Sequence, residues 1–252
     1  MPTIERVTGM PSVSLVIPVY NEEKTILRTI DRCLATLHAC GVEYEVLLLD
    51  DASTDATASL LQDIPKRDPG RIRLLSHPAN KGIAATFEDL YKAASKDFVF
   101  LVPGDGEYPP EALLTILPLL REFDIVICRR THKYYSVYRH IVSWSYRWCT
   151  RLLFGVDLFD PGSIKAVRRE LFTVIPVRST SVFVEAERLL RAVRRGYRLT
   201  SIDIRHEPRS GGRARGARWT TVSRAAKDIM HTRWDMLWHP ESRITDLQQK
   251  TS

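Results

Sequence analysis

At 252 residues the chain suits one large α/β domain, or one domain with an appendage, and it is long enough to bury a core without a disulfide or metal staple. Its hydrophobic fraction of 44% and charged fraction of 27% exclude a chain disordered by composition, and no stretch approaches the roughly 18 apolar residues of a membrane span. The formal charge of +7 points to anionic partners: cofactor phosphates, an acidic membrane surface or nucleic acid.

Residues 1–11 read as a loose N-terminus with no basic region leading into an apolar one, so a cytoplasmic chain is expected. Ser12 to Val19 is a β-branched apolar run, and apolar positions at Ile26, Ile30, Leu34 and Leu37 follow it at helical spacing. The alternation repeats, with strands at Glu43 to Leu49, Ile72 to Ser76, Phe98 to Val102 and Ile125 to Cys128. Helices are expected between them at Asp55 to Ile64, Gly82 to Ala94 and Pro110 to Leu120. Strands alternating with helical crossovers imply a mostly parallel α/β sheet. Beyond residue 130 the pattern changes. An aromatic and basic helix is expected at Tyr134 to Phe154, then a turn at Asp160-Pro161-Gly162-Ser163 and a helix at Val184 to Arg194. A strand at Arg198 to Arg205, a Gly/Arg loop at Arg209 to Gly216 and a helix at Thr220 to Leu237 complete the chain. Cys33, Cys40, Cys128 and Cys149 have no C-x-x-C spacing and sit in apolar-periodic segments, so buried thiols in a reducing compartment are expected.

In parallel sheets ligands bind beyond the carboxyl ends of the strands. The loops there hold Pro18-Val19-Tyr20-Asn21-Glu22, Asp50-Asp51-Ala52-Ser53-Thr54-Asp55, Asn80-Lys81-Gly82 and Pro103 to Glu107. Asp50 and Asp51 can accept hydrogen bonds from a base N–H or a ribose hydroxyl, while Ser53 or Asp55 can cap the following helix. Asp105 and Glu107 flank a glycine, so both carboxylates can face one Mg²⁺ or Mn²⁺ ion, which leaves its other positions to phosphate and water. A plain tight turn with a solvated aspartate explains the same residues. Lys81, at a helix start, can meet a phosphate or simply be solvated. The arginines after residue 120 resemble an anion site, since guanidinium forks grip phosphate bidentately. No nucleic-acid module is evident, and the aromatic helix fits a lipid interface or a core-facing stripe.

Taken together, these four loops and the run Gly104-Asp105-Gly106-Glu107-Tyr108-Pro109-Pro110-Glu111 resemble the family 2 glycosyltransferases, in their dolichol-phosphate mannosyltransferase and polyprenyl-phosphate glycosyltransferase branch. The resemblance spans residues 12–216. It implies a GT-A fold with a nucleotide-sugar half at 12–128 and an acceptor half at 129–216, followed by a C-terminal helix and tail at 217–252. It further implies that Pro18, Tyr20, Glu22 and Asp50 hold the nucleoside, with Asp51 beside them, and that Lys81 lies near the diphosphate. Gly104, Asp105 and Glu107 would form the divalent-metal turn. In that branch the turn reads D-x-D, then Gln, then Pro-Pro; alignment on Pro109-Pro110 puts Pro103 at the first aspartate and Glu107 at the glutamine. One ligand is missing and another position has gained charge, which favours a site rebuilt around Asp105 and Glu107 over a weakened or inactive one.

On the acceptor side, Arg130, Arg139, Arg209 and Arg215 match basic family positions expected to meet phosphate. Ala214 and Ile164 depart from the family's serine and glycine. The implied reaction inverts the sugar's anomeric carbon as a GDP-mannose or UDP-hexose type donor loses its nucleoside diphosphate, with a polyprenyl phosphate as the expected acceptor. A hydroxyl acceptor would need a carboxylate base, for which Asp160 and Glu187 are candidates. The rival class is a non-catalytic nucleotide-sugar or anionic-lipid binding protein. A peripheral position on a membrane, a membrane-subunit partner or a homo-oligomer fits the same reading.

Overall fold

The computed structural model describes residues 9–131, 144, 148, 150–179, 181, 183–207 and 219–238. Its elements alternate as the apolar runs predict. They are β1 (Val13–Val19), α1 (Ile26–Cys40), β2 (Tyr44–Asp50), α2 (Thr57–Leu61), β3 (Ile72–Ser76), α3 (Ile83–Ala93), β4 (Phe98–Leu101), α4 (Ala112–Leu119) and β5 (Ile125–Arg130). There follow β6 (Lys165–Arg168), α5 (Leu171–Val174), α6 (Val184–Arg194), β7 (Leu199–Ile204) and α7 (Trp219–Trp238). Of the expected aromatic helix, residues 144, 148 and 150–154 are described, and all are helical.

The seven strands form one sheet in the order β3-β2-β1-β4-β6-β5-β7. The first four are mutually parallel, β5 is parallel to β7, and β6 runs antiparallel between β4 and β5. Every residue of β1 and β2 is buried, because helices cover both faces of the sheet, and this is why these strands are continuous apolar runs rather than alternating ones. On one face Leu15, Ile17, Phe98 and Phe100 pack with Ile26, Ile30 and Leu37 of α1 and Ile116 of α4. On the other face Val16, Leu47, Val99 and Leu101 meet Leu90 and Tyr91 of α3. A third cluster, with Ile125, Phe154, Leu189, Ile229 and Met236, joins β5, the helical 150–154 segment, α6 and α7.

Two expectations change. The helix expected from Asp55 to Ile64 stops at Leu61 and resumes as a 3₁₀ turn at Ile64–Arg67, where Pro65 is excluded from a helix interior but accepted in a first turn. Strand β6 is unanticipated: Lys165-Ala166-Val167-Arg168 is short and half cationic, and it is a strand because two edges flank it.

Candidate active site

All the polar loops singled out in the sequence converge on the carboxyl rim of the parallel strands. Val19 pairs with Asp50, so the loops after β1 and β2 leave the sheet side by side. Each turns on a non-glycine residue with positive φ, Asn21 at 56° and Ala52 at 57°. Cross-loop bonds hold these conformations, with the Asn21 N–H donating to Ser53 Oγ at 2.9 Å and the Thr54 N–H to Asn21 Oδ1 at 2.8 Å. The Glu22 N–H donates to Thr57 Oγ1 at 2.9 Å, which ties the first loop to α2. Ala56 stands at the N-cap of α2, and just before it Asp55 Oδ1 accepts the Thr57 N–H at 2.9 Å.

Neighbouring aspartates do different work because adjacent strand-end side chains point to opposite sides. Asp50 Oδ1 accepts from the Ser53 N–H and hydroxyl, and among the described residues no hydrogen bond falls on Oδ2. Asp51 is 3% exposed and its carboxylate is taken by the next loop: Oδ1 accepts the Lys81 N–H at 2.8 Å, Oδ2 accepts the Gly82 N–H at 2.9 Å, and His77 Nδ1 stands 2.7 Å from Oδ1. The Asp51 carboxylate, expected beside the nucleoside, thus builds the Asn80-Lys81-Gly82 turn. Lys81 Nζ reaches the rim but donates to Asp89 Oδ2 at 3.2 Å, an oxygen that also lies 3.0 Å from His77 Nε2.

The acidic turn is fastened directly to β1. Pro18 is a buried strand residue, and its carbonyl accepts the Gly104 N–H at 3.3 Å. The Gly104 carbonyl in turn accepts from the Thr25 hydroxyl at 2.9 Å. A Cβ on Gly104 would stand 3.0 Å from Ile26 Cδ1, and Gly106 has φ +71°, so both glycines are needed for the turn's shape. Within it, the Glu107 N–H donates to Asp105 Oδ1 at 3.1 Å, which holds the Asp105 carboxylate against the backbone of the turn.

Glu107 is also the hub of a contact that sequence reasoning missed. His206, just past β7 and 3% exposed, places Nε2 3.1 Å from Glu107 Oε2, and the Glu207 N–H donates to the Glu107 carbonyl at 2.9 Å. Arg32 of α1 clamps the same junction: Nε and Nη2 grip Glu111 at 2.9 and 2.8 Å, while Nη1 and Nη2 grip Glu207 at 3.1 and 2.9 Å. The hydrogen bonds to Glu111 raise the Arg32 pKa further above its already high value. No local sequence signal marks this clamp, because its partners lie 79 and 175 residues away.

Arg130 and Asp160 come together as a buried pair, with Nε to Oδ2 at 2.7 Å and Nη2 to Oδ1 at 2.8 Å. The remaining Arg130 nitrogen, Nη1, donates to the Tyr108 hydroxyl at 2.9 Å, and Tyr108 meets the His206 ring edge-on at 5.4 Å. A chain of contacts thus runs from the acidic turn to the 160–163 turn. Asp160, a candidate base for a hydroxyl acceptor, has both oxygens engaged in charge-assisted bonds from a guanidinium. Glu187, the other candidate, is fully buried and accepts from the Arg178 and Ser179 N–H groups and from Arg191 Nε. Arg139, Arg209 and Arg215 lie outside the described residues.

A second missed cluster lies behind the rim, where Lys165 Nζ donates to Glu185 Oε2 at 2.8 Å and the Tyr91 hydroxyl donates to the same oxygen at 2.9 Å. Burial alone would raise the Glu185 pKa, yet the Lys165 ammonium outweighs it and holds the carboxyl below its usual range. The thiols of Cys33, Cys40 and Cys128 are free, and burial raises all three pKa values, to about 11 for Cys40 and about 12 for Cys128.

The donor set decides what kind of metal would fit. Among the described residues no three or more His, Cys, Asp or Glu side chains form a metal-binding group, so a closed protein cage is not built here. Asp105 and Glu107 suit a hard divalent cation that takes one or two carboxylates and completes its shell with phosphate oxygens and water.

The model of the family described as Glycosyl transferase family 2 matches residues 14–175, which run from Ser14 in β1 through α5 and include the loops after β1 to β4, while His206 and Glu207 lie beyond the match. The chain belongs to this family. A family 2 relative from Pectobacterium carotovorum, an undecaprenyl-phosphate 4-deoxy-4-formamido-L-arabinose transferase, is 27% identical over 211 residues, covering 82% of this chain and 63% of that protein. Another of that description, from Pseudomonas fluorescens, is 30% identical over 186 residues, covering 68% of this chain and 51% of the relative. The chain thus spans about half to two thirds of these relatives. Among solved structures, glucosyl-3-phosphoglycerate synthase from Mycobacterium tuberculosis, in complex with Mn²⁺, uridine diphosphate and phosphoglyceric acid, superposes with a TM-score of 0.68 at 21% identity, over 88% of this chain and 78% of that one. A mannosyltransferase from Pyrobaculum calidifontis, with GDP-mannose and Mn²⁺, superposes at 0.65 and 18% identity, over 93% of this chain and 66% of that one. This family 2 chain therefore has the GT-A fold: a mostly parallel sheet between helices, with the acidic turn at its rim.

Proposed function

We propose that this chain is an inverting glycosyltransferase that moves a sugar from a GDP-mannose or UDP-hexose type donor to a polyprenyl phosphate. The observation that carries the reading is the acidic turn, clipped by Gly104 to the Pro18 carbonyl and the Thr25 hydroxyl, at the end of the strand whose other neighbour, β2, ends in Asp50. The names of the undecaprenyl-phosphate relatives support the acceptor class.

In this reading Asp50 and the Tyr20–Glu22 loop hold the nucleoside, and Asp105 with Glu107 hold a Mg²⁺ or Mn²⁺ ion against the diphosphate. When bound, that ion neutralises the charge that develops on the departing diphosphate. Lys81 serves the same charge when it exchanges Asp89 for phosphate. A lipid phosphate is already anionic, so the chain needs no strong general base, which agrees with the engagement of Asp160 by Arg130 and of Glu187 by backbone N–H groups. Arg139, Arg209 and Arg215 are assigned to acceptor phosphate from the sequence alone.

Thermal-shift screening of GDP- and UDP-sugars with and without Mn²⁺, followed by transfer assays to polyprenyl phosphate, tests the reading. Stabilisation that needs both donor and metal, with product formed on the lipid, is the expected result. Transfer only to a soluble hydroxyl would overturn the acceptor class, and binding without turnover would overturn the enzyme.

A further inference from the structure

Helix α7 has two apolar faces, and only one is used by the fold. Ala225, Ile229, Thr232 and Met236, at helical spacing, are buried against the cluster around Leu189 and Phe154. Met230, Trp234, Leu237 and Trp238 repeat the same spacing on another side and are 56–65% exposed. The helical segment that contributes Phe154 to that cluster repeats the arrangement. Trp144 and Trp148 are 63% and 53% exposed, and Leu152 is 81% exposed, each four residues from the next. Among the described side chains four tryptophans are therefore exposed, two on each segment.

Charge on α7 is sorted in the same sense. Its two carboxylates turn inward: Asp235 is 5% exposed and accepts from Arg178 Nη1 and Arg191 Nη2, both at 2.6 Å, and Asp228 accepts the Ser181 N–H at 3.1 Å. Arg224, Lys227 and His231 are exposed, and Arg233 is partly so. The outer surface of the helix thus combines tryptophan and aliphatic side chains with cations and presents no exposed acid. A protein interior would not select the cations, and water would not select the tryptophans. The headgroup boundary of an anionic bilayer selects both, because indole is apolar with one polar N–H and lysine and arginine meet lipid phosphate. Among the described residues no helix is long and apolar enough to cross a membrane, so the contact is one of lying on the surface.

We infer that the exposed faces of α7 and of the 144–152 segment form a docking surface for an anionic lipid bilayer, seated by Trp144, Trp148, Trp234 and Trp238. This deepens the acceptor reading by fixing which side of the protein meets the membrane that holds the lipid phosphate. Its test needs neither donor nor acceptor. The full chain is sedimented with phosphatidylcholine vesicles, with and without phosphatidylglycerol, and tryptophan emission is followed with brominated acyl chains as quenchers. The expected result is binding to the anionic vesicles, weakened by salt, with quenched and blue-shifted emission. Trp234→Ser with Trp238→Ser reduces partitioning roughly a hundredfold, as expected for removing two buried apolar side chains. The double variant also keeps its melting temperature and its transfer to a short-chain, water-soluble phosphate acceptor. Absence of vesicle binding, or equal binding by the variant, would overturn the inference. So would concentration-dependent self-association that the variant abolishes, since the face would then belong to a second copy. Vesicle binding without any glycosyl transfer would instead leave the docking surface standing and remove the acceptor reading.

Discussion

Replacing Asp160 by alanine separates a structural role for the Arg130–Asp160 pair from a catalytic one. Both side chains are nearly out of water, at 8% and 7% exposure, so solvent screens the pair little. Arg130 commits Nε and Nη2 to the carboxylate at 2.7 and 2.8 Å and Nη1 to the Tyr108 hydroxyl. Asp160→Ala removes the counter-charge and leaves the guanidinium in place, and a change of this kind costs about 3–5 kcal/mol. For a domain of this size that is a fall of about 6–20 °C in melting temperature, a large part of a total stability of about 5–15 kcal/mol. Arg130→Met combined with Asp160→Leu removes the buried charge altogether and should recover most of the loss, because a buried ion pair is often no better than an apolar pair of similar volume. Urea and thermal unfolding of the wild type, both single variants and the double variant give the coupling energy directly. Single variants that each cost less than about 1 kcal/mol, with no coupling and with transfer abolished, would refute the structural assignment and return both residues to the chemistry.

Asp105→Ala should abolish the Mn²⁺-dependent stabilisation by a nucleotide-sugar. In the wild type that stabilisation is about 2.7 kcal/mol at a ligand concentration of about one hundred times Kd, and it disappears with EDTA; a shift retained in the variant would remove the metal from this turn. Arg32→Gln should cost only about 1 kcal/mol, since its partners are partly solvated, yet raise the Mn²⁺ concentration for half-maximal activity by loosening Glu207 from the acidic turn. Unchanged metal dependence would show the clamp to be stabilising and nothing more. Glu185, held below its usual pKa by Lys165, contributes stability above the ordinary carboxylate value of 4.5 that is lost as pH falls through its lowered folded value. Unfolding between pH 7 and 3 should show that acid limb, and Lys165→Met with Glu185→Leu should flatten it; an unaltered limb would assign it to other carboxylates.

The sheet's first five strands and the loops that end them were legible because each strand is a β-branched apolar run closed by polar residues, and β/α alternation then forces those loops to one rim. The same local logic could not show β6, whose four residues carry two cations and become a strand only between edges supplied by β4 and β5. Nor could it separate Asp50 from Asp51. Asp50 ends β2 and Asp51 follows it, and only the fold reveals that Asp51 faces the Lys81 and Gly82 N–H groups. Sequence offered Arg130 and Asp160 as two independent functional residues because each matches a family position, and 30 residues of chain hide the fact that they neutralise each other. His206 carries no motif at all. It matters because the chain leaving β7 crosses back to the acidic turn.

That crossing bears on the irregular turn with Pro103. Its conformation is imposed by the fold: Gly104 is held by the Pro18 carbonyl and the Thr25 hydroxyl, and Gly106 takes a positive φ. Asp105 and Glu107 therefore stand on a turn whose shape does not depend on a first aspartate. In the proposed function Glu107 would serve two neighbours, a cation on the donor side and His206, whose Nε2 stands 3.1 Å from its Oε2. The residues that follow His206 and Glu207 include Arg209 and Arg215, the basic positions assigned to the acceptor phosphate. In that proposal one carboxylate is shared between the donor's metal and the root of the stretch that carries Arg209 and Arg215, so occupation of either side should alter the affinity of the other. A glutamine at the same position would accept and donate hydrogen bonds without charge and would hold His206 less firmly. On the proposed reading, Glu107 both stands in for the missing first aspartate at the metal turn and ties that turn to the end of β7 through His206 and the Glu207 N–H.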